Sequence, residues 1–155
     1  MCAQLSECAV MFEDSWEKKN IDFAVEMEDR AYVDADPGLM ELVWNNLLSN
    51  AIKFTPEGGT ILLSQRSDEE QVLVSVRDSG CGMTEDVMKH IFDKFYQGDE
   101  SHAMLGNGLG LALVQRVLEL SDARIDVTSK PEEGTEFRVM LAKRKVTDTL
   151  PFADE

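Results

Sequence analysis

The stretch from residue 36 to residue 59 predicts one long helix, and this helix constrains the fold more than any other part of the sequence. Pro37 lies just inside its start and the turn Pro56–Gly59 lies just past its end, which are positions that these residue types favour at helix termini. The segment between them allows about five turns. Its apolar side chains recur at helical spacing and should pack against a core: Met40, Trp44, Leu47, Leu48 and Ala51.

A polar stripe runs along the same helix. At about 100° per residue, Asn46, Asn50 and Lys53 fall within one narrow arc, and Phe54 lies at its margin. Burying an unpaired amide costs roughly 1 to 3 kcal/mol, so an asparagine gains little from such a position unless its amide has a partner. The stripe indicates a binding site. Internally bonded amides on an ordinary amphipathic helix are the alternative that it leaves open.

The chain has the size of one domain. With 155 residues, of which 43% are hydrophobic, it can form one proper core and is too short for two. We expect the domain to occupy residues 1–142. The segment 143–155 is polar and shows no period, so it is predicted to be a linker or a disordered end.

The net charge of −15 excludes two broad classes of partner. Such an acidic chain is not expected to bind nucleic acid non-specifically or to contact an anionic membrane surface, so any anionic ligand must be held by local donors. No apolar run approaches the roughly 18 residues of a membrane span. The 3 cysteines include no Cys-x-x-Cys pair and indicate reduced thiols. A cytoplasmic location is predicted.

Shorter patterns predict the other helices and strands. An amphipathic helix is expected over Leu5–Trp16. The segment Ile21–Glu26 alternates like a half-buried strand, with which Ala31–Asp34 could pair. Two hairpins are expected further along the chain, 61–66 with 72–77 and 124–129 with 135–141.

The second strand of the first hairpin leads into Asp78. A glycine turn follows at once, in which Gly80 and Gly82 allow backbone conformations and close approaches that other residues do not. An acidic residue at a strand end, followed by such a turn, presents one carboxylate at the lip of a pocket. A plain loop has the same pattern, so the motif alone does not establish a site.

An aromatic cluster comes next. Thr84 is predicted to cap a short helix over residues 84–90, and the polar segment 97–105 is predicted to be a loop. Between them stand Ile91, Phe92, Phe95 and Tyr96. Ordinary core packing explains most clusters of this kind.

The loop ends in a glycine-rich turn, residues 106–110, that opens a helix. Backbone N–H groups at a helix start can bind an anion, so a phosphate site is expected here. A Rossmann dinucleotide turn is the competing interpretation. It fails because no strand precedes the glycines and Leu111 occupies the place of a required glycine. The apolar positions of the helix are predicted to be Leu109, Ala112, Leu113, Val117 and Leu120.

In this order, the motifs strongly resemble the catalytic ATP-binding domain of sensor histidine kinases. The matching segments are NNLLSNAIKFT for the N box, DSGCGM for the G1 box, IFDKFY for the F box and GNGLGLAL for the G2 box, within residues 20–142. The resemblance implies the Bergerat-type ATP-binding fold of the GHKL superfamily. This is an α/β (α+β) two-layer sandwich in which helices cover one face of a mixed, mainly antiparallel sheet.

The resemblance implies ATP and Mg²⁺ as cofactors. Asn50 would be the Mg²⁺ ligand, Lys53 would reach the terminal phosphates, and Asn46 would lie beside the metal and its waters. Asn46 and Lys53 are therefore the implied catalytic residues. The glycine turn would hinge a lid and contact the phosphates, through Gly106, Gly108, Leu109 and Gly110.

The resemblance also implies where the base binds. Asp78 would accept a hydrogen bond from the adenine amino group, and Gly80 and Gly82 would let the backbone pass close to the base. The other residues implied to contact the nucleotide are Met83 of the same motif and the flanking aromatics Phe54 and Tyr96.

One position distinguishes a kinase from other ATPases of the superfamily. Gyrase-type, chaperone-type and mismatch-repair members typically have a glutamate one turn before the metal asparagine, where it activates water, and here that residue is Asn46. An amide cannot act as a general base, so efficient hydrolysis is not expected. The implied reaction transfers the γ-phosphoryl group of Mg-ATP to a histidine on a separate dimerisation domain, with a response regulator downstream. The resemblance also allows the chain to be the cytoplasmic part of a membrane-anchored sensor.

Two alternatives to this function stay open. One is a nucleotide-binding regulatory module without transfer activity, and the other is an ATP-driven clamp of the gyrase or chaperone type. Neither His90 nor His102 lies in an acceptor motif of the family. The chain is therefore not expected to phosphorylate itself in the family manner.

Overall fold

The structure is a computed structural model, and it describes residues 2–27, 33, 35–92 and 110–142. The helices in these ranges are α1 (Cys2–Met11), α2 (Glu13–Lys18), α3 (Pro37–Phe54), α4 (Glu85–Met88) and α5 (Gly110–Leu120). The strands in these ranges are β1 (Asp22–Met27), β2 (Thr60–Ser67), β3 (Gln71–Asp78), β4 (Arg124–Lys130) and β5 (Gly134–Ala142).

The strands form one mixed sheet in the order β1-β2-β3-β5-β4. β1 pairs with β2 in parallel, and the other neighbouring pairs are antiparallel. The β2–β3 and β4–β5 pairs confirm both predicted hairpins. The register places Asp78 opposite Thr135, and Thr135 opposite Ser129. Three polar side chains therefore meet at one end of the sheet.

The helices cover one face of this sheet, which confirms the predicted two-layer fold. α3 packs over β3, α5 packs over β4, and α1 packs against α3. Alternate residues of the central strands face the helices, with the period of two expected for a half-buried sheet. In β3 these are Val72, Val74 and Val76, each at most 2% exposed. They meet an apolar layer from α3 that includes Trp44, Leu47 and Leu48.

The long helix is confirmed at its predicted ends. Asp36 is the N-cap, and its carboxylate accepts hydrogen bonds from the backbone N–H groups of Gly38 and Leu39 at 2.8 and 3.3 Å. This cap satisfies donors that the first turn leaves unpaired. Thr55 ends the helix and donates its hydroxyl to the carbonyl of Ala51 at 2.6 Å. The two ends determine which side chains of α3 face the sheet.

The N-terminal helix differs from the prediction. The sequence predicts one helix over Leu5–Trp16, whereas the structure has α1 and α2, separated at Phe12. The backbone of Phe12 has φ −102° and ψ 9°, in the bridge region rather than the helical one. Trp16 of α2 stacks on Phe23 of β1, with ring centroids 4.1 Å apart. Periodicity conceals the break because apolar residues on both sides of it pack against the same core.

The buried face of α5 also differs from the prediction. Its buried side chains are Leu111, Val114, Val117 and Leu118. Of the described members of the predicted set, only Val117 is among them, whereas Leu113 and Leu120 are 41% and 63% exposed. Leu109 lies outside the described residues. Seven of the eleven positions of this helix are apolar, so two overlapping stripes satisfy the helical period. Contact with the sheet selects one of them.

The remaining predictions concern short or undescribed segments. The predicted helix over 84–90 is present as the shorter α4, where the Thr84 hydroxyl accepts the N–H of Val87 at 3.2 Å. The segment Ala31–Asp34, apart from Val33, lies outside the described residues, as do the predicted loop 97–105 and the tail 143–155. None of the helices in the described ranges has the length and apolar character needed to cross a membrane.

Candidate functional site

A narrow cleft with a cavity volume of about 20 Å³ lies between the helices and one end of the sheet. The lining residues that the sequence predicts to bind a ligand are Asn50, Phe54, Asp78, Gly82 and Met83. The lining residues that sequence reasoning missed as ligand contacts are Ala51, Cys81, Val87, Ile91, Leu111, Thr135 and Phe137. Most of these are apolar, and sequence gives no signal that distinguishes a cleft wall from the core.

Among the described residues, Asp78 supplies the only carboxylate that lines the cleft, and it is 6% exposed. It is the last residue of β3, and its Oδ1 accepts the N–H of Gly80 at 2.8 Å. Burial raises its pKa from 3.8 to about 6, although hydrogen bonds from the backbone of Gly80 and Thr135 oppose this shift. A buried carboxylate that faces a cleft is a strong acceptor for an N–H donor of a ligand.

The loop after Asp78 is held against the turn between β4 and β5. Gly82 has φ +69°, and a Cβ on it would collide with the backbone carbonyl of Lys130. The carbonyl of Cys81 accepts the N–H of Glu132 at 2.6 Å. Gly82 therefore permits a close approach to the backbone of Lys130 within the chain itself. This contact fixes the rim of the cleft.

Ser129 ties this loop to the sheet, and sequence reasoning missed it. Its hydroxyl accepts the N–H of Met83 at 2.8 Å and donates to the carbonyl of Gly134 at 3.0 Å. It also lies 2.8 Å from the hydroxyl of Thr135. A signal was present, because Ser129 continues the inward alternation of Ile125 and Val127 with a polar residue. A buried serine in a core position indicates a specific hydrogen-bonding partner.

Asn50 places an amide in the wall of the cleft. It is 7% exposed, and its side chain makes no hydrogen bond within the described part of the chain. Its amide atoms are not among the buried side-chain atoms that lack a partner, so they are open to the cleft. A bound ligand or ion could therefore contact this amide.

The other residues of the polar stripe lie beside the cleft. Asn46 is half-buried, and its Nδ2 donates to the carbonyl of Leu42 at 2.7 Å. Its Oδ1 faces the first residue of α5, since a Cβ on Gly110 would stand 2.7 Å from that oxygen. Lys53 is exposed. The structure thus brings Asn46 and Gly110 together and leaves the ammonium group of Lys53 at the surface.

The site extends along α3 between two contacts. At one end the backbone of Gly80 lies against the carbonyl of Phe54, and at the other end Gly110 lies against Asn46. Eight residues of helix separate these contacts, which is about 12 Å. Four predicted site residues lie outside the described residues: Tyr96, Gly106, Gly108 and Leu109.

A metal ion could be held here only with help from a ligand. The described residues contain no group of three or more His, Cys, Asp or Glu side chains that could hold a metal ion by themselves. Mg²⁺ keeps several waters and commonly takes one or two protein oxygens together with substrate phosphates. The unpaired amide of Asn50 fits this requirement, because its carbonyl oxygen can be a single protein ligand.

Comparison with known proteins identifies the family. Residues 35–145 match the family described as histidine kinase-, DNA gyrase B-, and HSP90-like ATPase. The matched range includes α3, the Asp78 loop and α5, and it covers most of the chain. The chain therefore belongs to this ATPase family.

Within the family, the chain is a histidine kinase catalytic domain. It is 40% identical over 116 residues to the sensor protein TorS of Escherichia coli, which covers 75% of this chain and 12% of TorS. Its fold matches the nucleotide-free catalytic domain of histidine kinase ThkA with a TM-score of 0.82 and 30% identity, over 92% of each chain. The chain thus spans only a small part of the curated relative that it matches.

Two further structures are similar to this fold. Full-length ShkA in complex with AMPPNP matches with a TM-score of 0.81 and 27% identity, over 94% of this chain and 30% of that chain. ThkA in complex with the response regulator protein TrrA matches with a TM-score of 0.78 and 29% identity, over 93% of this chain and 40% of that chain.

Proposed function

We propose that the cleft binds Mg-ATP and that the chain transfers its γ-phosphoryl group to a histidine on a separate dimerisation domain. The observation that carries this proposal is that one cleft is lined both by a carboxylate and by an amide that makes no hydrogen bond within the described residues, since Asp78 and Asn50 are only 6% and 7% exposed. A ligand that satisfies both must offer an N–H donor and an ion or polar group. Mg-ATP offers both, and the family is an ATPase family.

The adenine end of the proposed site is formed by Asp78 and the apolar walls. The carboxylate would accept a hydrogen bond from the adenine amino group, and Met83, Ile91 and Leu111 would contact the faces of the ring. An aromatic base has apolar faces and a polar edge, so a mostly apolar cleft with one buried acceptor suits it. Phe54 and Tyr96 would flank the base or the ribose, and Gly80 and Gly82 shape the rim.

The phosphate end is formed by the polar stripe of α3 and the start of α5. Asn50 would hold Mg²⁺, which would supply positive charge to neutralise the phosphates. Lys53 would extend from the surface to the terminal phosphates, and Asn46 would orient the metal waters. Backbone N–H groups at the start of α5 suit an anion, and we include Gly110 with its neighbours in the sequence, Gly106, Gly108 and Leu109.

The residue at Asn46 supports transfer rather than hydrolysis. An amide cannot take a proton from water, so the described part of the stripe offers no general base at that position. A neutral imidazole needs no such base to attack phosphorus. The chain would then contribute positioning and charge neutralisation, as in other phosphoryl transfers. A response regulator as the downstream partner is part of the proposal, as is a cytoplasmic location, since ATP is the substrate.

The test combines the chain with the dimerisation domain of its parent protein and γ-labelled ATP. We expect Mg²⁺-dependent nucleotide binding, and acid-labile label on the acceptor domain in the phosphohistidine form. Tight Mg-ATP binding without transfer to any acceptor would instead identify a regulatory module. Rapid phosphate release by the chain alone would favour an ATPase clamp and contradict the interpretation of Asn46.

A further inference from the structure

A second cavity lies on the outer face of the sheet, which is the face turned away from the helices. Its volume is about 230 Å³, and it lies where the ends of β3, β4 and β5 meet. Strand alternation turns the carboxylate of Asp78 towards the cleft and the side chain of its neighbour Arg77 towards this cavity. The cavity and the cleft are therefore separate sites on opposite faces of the same strand ends.

Gly134 keeps the floor of the cavity open. It lies opposite Lys130 in the register and has φ +100°, and a Cβ on it would collide with the backbone carbonyl of Asp78. Only glycine fits at this position, so β5 contributes no side chain there. A hollow remains between the side chains of β3 and those of β4.

Four charged side chains face the cavity, and their charges cancel. The cations are Arg77 and Lys130, and the carboxylates are Glu133 and Glu136. Arg77 stands directly opposite Glu136 in the register, where opposite charges usually pair, but the Glu136 carboxylate accepts the Ser75 hydroxyl at 2.9 Å instead. Within the described residues, neither Arg77 nor Lys130 makes a hydrogen bond or an ion pair. Both cations are therefore available to a ligand.

The other charged groups of the outer face are bonded elsewhere or lie further away. Arg138 donates to the Thr128 hydroxyl at 3.0 Å, and the hydroxyl proton of Thr128 can still be donated. Asp126 lies opposite Arg138 in the register, one row away from Thr128. Asp22 and Glu26 lie on β1, at the other edge of the sheet. The cavity thus offers two cations and a hydroxyl donor to an anionic group, and two carboxylates to a cationic group.

The spacing of the two cations suits one anionic group between them. Arg77 on β3 and Lys130 on β4 are separated by β5 and by two residues along the strands, because Arg77 aligns with Thr128 through Glu136. At about 4.8 Å per strand and 3.3 Å per residue, their Cα atoms are about 12 Å apart. Both side chains are long, so their charged ends can meet at a single carboxylate, to which a guanidinium can donate two parallel hydrogen bonds.

A compact zwitterion suits this cavity better than a simple anion. The volume exceeds that of about seven waters at about 30 Å³ each, which is enough for a ligand with a similar number of non-hydrogen atoms. The four wall charges sum to zero, whereas the whole chain carries −15 and repels free anions. A small amino acid is neutral overall and has one carboxylate and one ammonium group, so it matches both kinds of wall charge.

We propose that this cavity binds a small amino-acid zwitterion. The ligand carboxylate pairs with Arg77 and Lys130 and accepts the Thr128 hydroxyl, and the ammonium group donates to Glu133 and Glu136. None of these five side chains lines the cleft. Binding needs no nucleotide, so the proposal stands or falls separately from the proposed function.

The test is amide NMR of the full chain at pH 7, titrated separately with glycine, L-serine and L-threonine. We expect saturable shifts of the backbone amides of Lys130, Gly134 and Glu136, with a dissociation constant of order 1 mM, which is usual for so small a ligand. Acetate and ethylamine each carry one of the two charged groups. They should bind at least about 10-fold more weakly, because each leaves one pair of wall charges without a partner.

Matched variants locate the binding site. Arg77→Gln and Lys130→Gln should each weaken amino-acid binding about 10-fold or more, the worth of one charge-assisted hydrogen bond. Arg124→Gln removes the same charge from the outer face of β4 away from the cavity, and it should change the dissociation constant less than about 2-fold. Amide shifts elsewhere in the spectrum report whether each variant is folded.

Three results would overturn the proposal. The first is the absence of saturable shifts at the cavity with all three amino acids. The second is acetate binding as tightly as the amino acids, because the cavity would then recognise an anion alone. The third is an equal loss of binding in Arg124→Gln, because the ligand would then respond to the charge of the whole face rather than to Arg77 and Lys130.

Discussion

The two ends of the cleft are constructed differently. At the base end, three hydrogen bonds fix Asp78 and the loop after it: Gly80 N–H donates to Asp78, Met83 N–H donates to the Ser129 hydroxyl, and Glu132 N–H of the β4–β5 turn donates to the Cys81 carbonyl. At the phosphate end, the amide of Asn50 has no partner within the described residues and Lys53 is exposed. The base end is therefore formed before a ligand arrives, whereas the phosphate end presents groups that the ligand must complete.

This difference has a functional meaning. A preformed acceptor gives recognition of the base at little ordering cost. Asn50 and Lys53 would gain partners only when the metal and the phosphates bind. Their interactions can therefore strengthen as the phosphoryl group is transferred, and catalysis requires interactions that are stronger in the transition state than in the ground state. Substitutions at the base end should then alter nucleotide affinity. Substitutions at the phosphate end should alter metal dependence and transfer.

The largest expected effect is that of Asn50→Ala. Removing the proposed metal ligand should lower Mg²⁺-dependent ATP affinity and transfer rate by roughly 100-fold, or about 2.7 kcal/mol, because the phosphate charge is no longer neutralised in place. Adenosine affinity, measured by calorimetry, should remain within about 2-fold. Asn45→Ala, on the neighbouring position of α3 outside the cleft, is the matched control. If Asn50→Ala lowers adenosine affinity and ATP affinity equally, Asn50 does not act specifically at the phosphate end.

The next effect is that of Asp78→Asn at the base end. ATP and adenosine should both bind roughly 10- to 100-fold more weakly, because a charge-assisted hydrogen bond is worth roughly 1.5 to 3 kcal/mol. Asp126→Asn, on the outer face, changes the net charge equally and should leave affinity unchanged. If calorimetry shows unaltered adenosine binding in Asp78→Asn, the assignment of this carboxylate as the adenine acceptor is wrong.

The same substitution should stabilise the chain, which separates lost binding from lost folding. Because the folded pKa of Asp78 is raised from 3.8 to about 6, its ionised form is disfavoured by folding. The stability that this residue contributes is present below its unfolded pKa and is lost as the pH rises through about 6. Asp78→Asn removes that loss. Urea denaturation at pH 7 should show a free energy of unfolding about 1 to 3 kcal/mol higher than wild type.

Raising the pH should strengthen adenosine binding, whereas it lowers the stability that Asp78 contributes. The expected change in affinity is smaller than the effects of the two substitutions. The ionised carboxylate is the better acceptor, so adenosine affinity should rise with pH through about 6. Between pH 5 and pH 7 the ionised fraction changes roughly tenfold, and the affinity should follow it. Adenosine is the probe because it has no phosphate that titrates in this range. A flat profile in wild type, or the same profile in Asp78→Asn, would contradict the assignment.

The sequence predicts the base end and the phosphate end unequally. The polar arc on α3 and the carboxylate at a strand end are local patterns, so Asn50 and Asp78 can be assigned to a binding site from the sequence alone. Thr135 and Ser129 reach the same place through strand pairing across the sheet, and no local pattern reports such register. The break at Phe12 and the buried stripe of α5 were missed for a related reason, because tertiary contacts choose among patterns that periodicity allows equally.

The smallest expected effect comes from Ser129→Ala, which acts on the base end through another residue. The substitution leaves the N–H of Met83 and the hydroxyl of Thr135 without this partner, so the loop after Asp78 loses one anchor to β4. We expect adenosine and ATP affinities to fall together by roughly 2- to 10-fold, the worth of one hydrogen bond.

Thr128→Val, which removes a hydroxyl from the opposite face of the same strand, is the matched control. Hydrogen exchange of the Met83 amide provides a second measurement, because it should quicken in Ser129→Ala and not in Thr128→Val. A loss confined to ATP, with adenosine binding intact, would mean that the loop serves the phosphates and that the two ends of the cleft are less separate than their construction suggests.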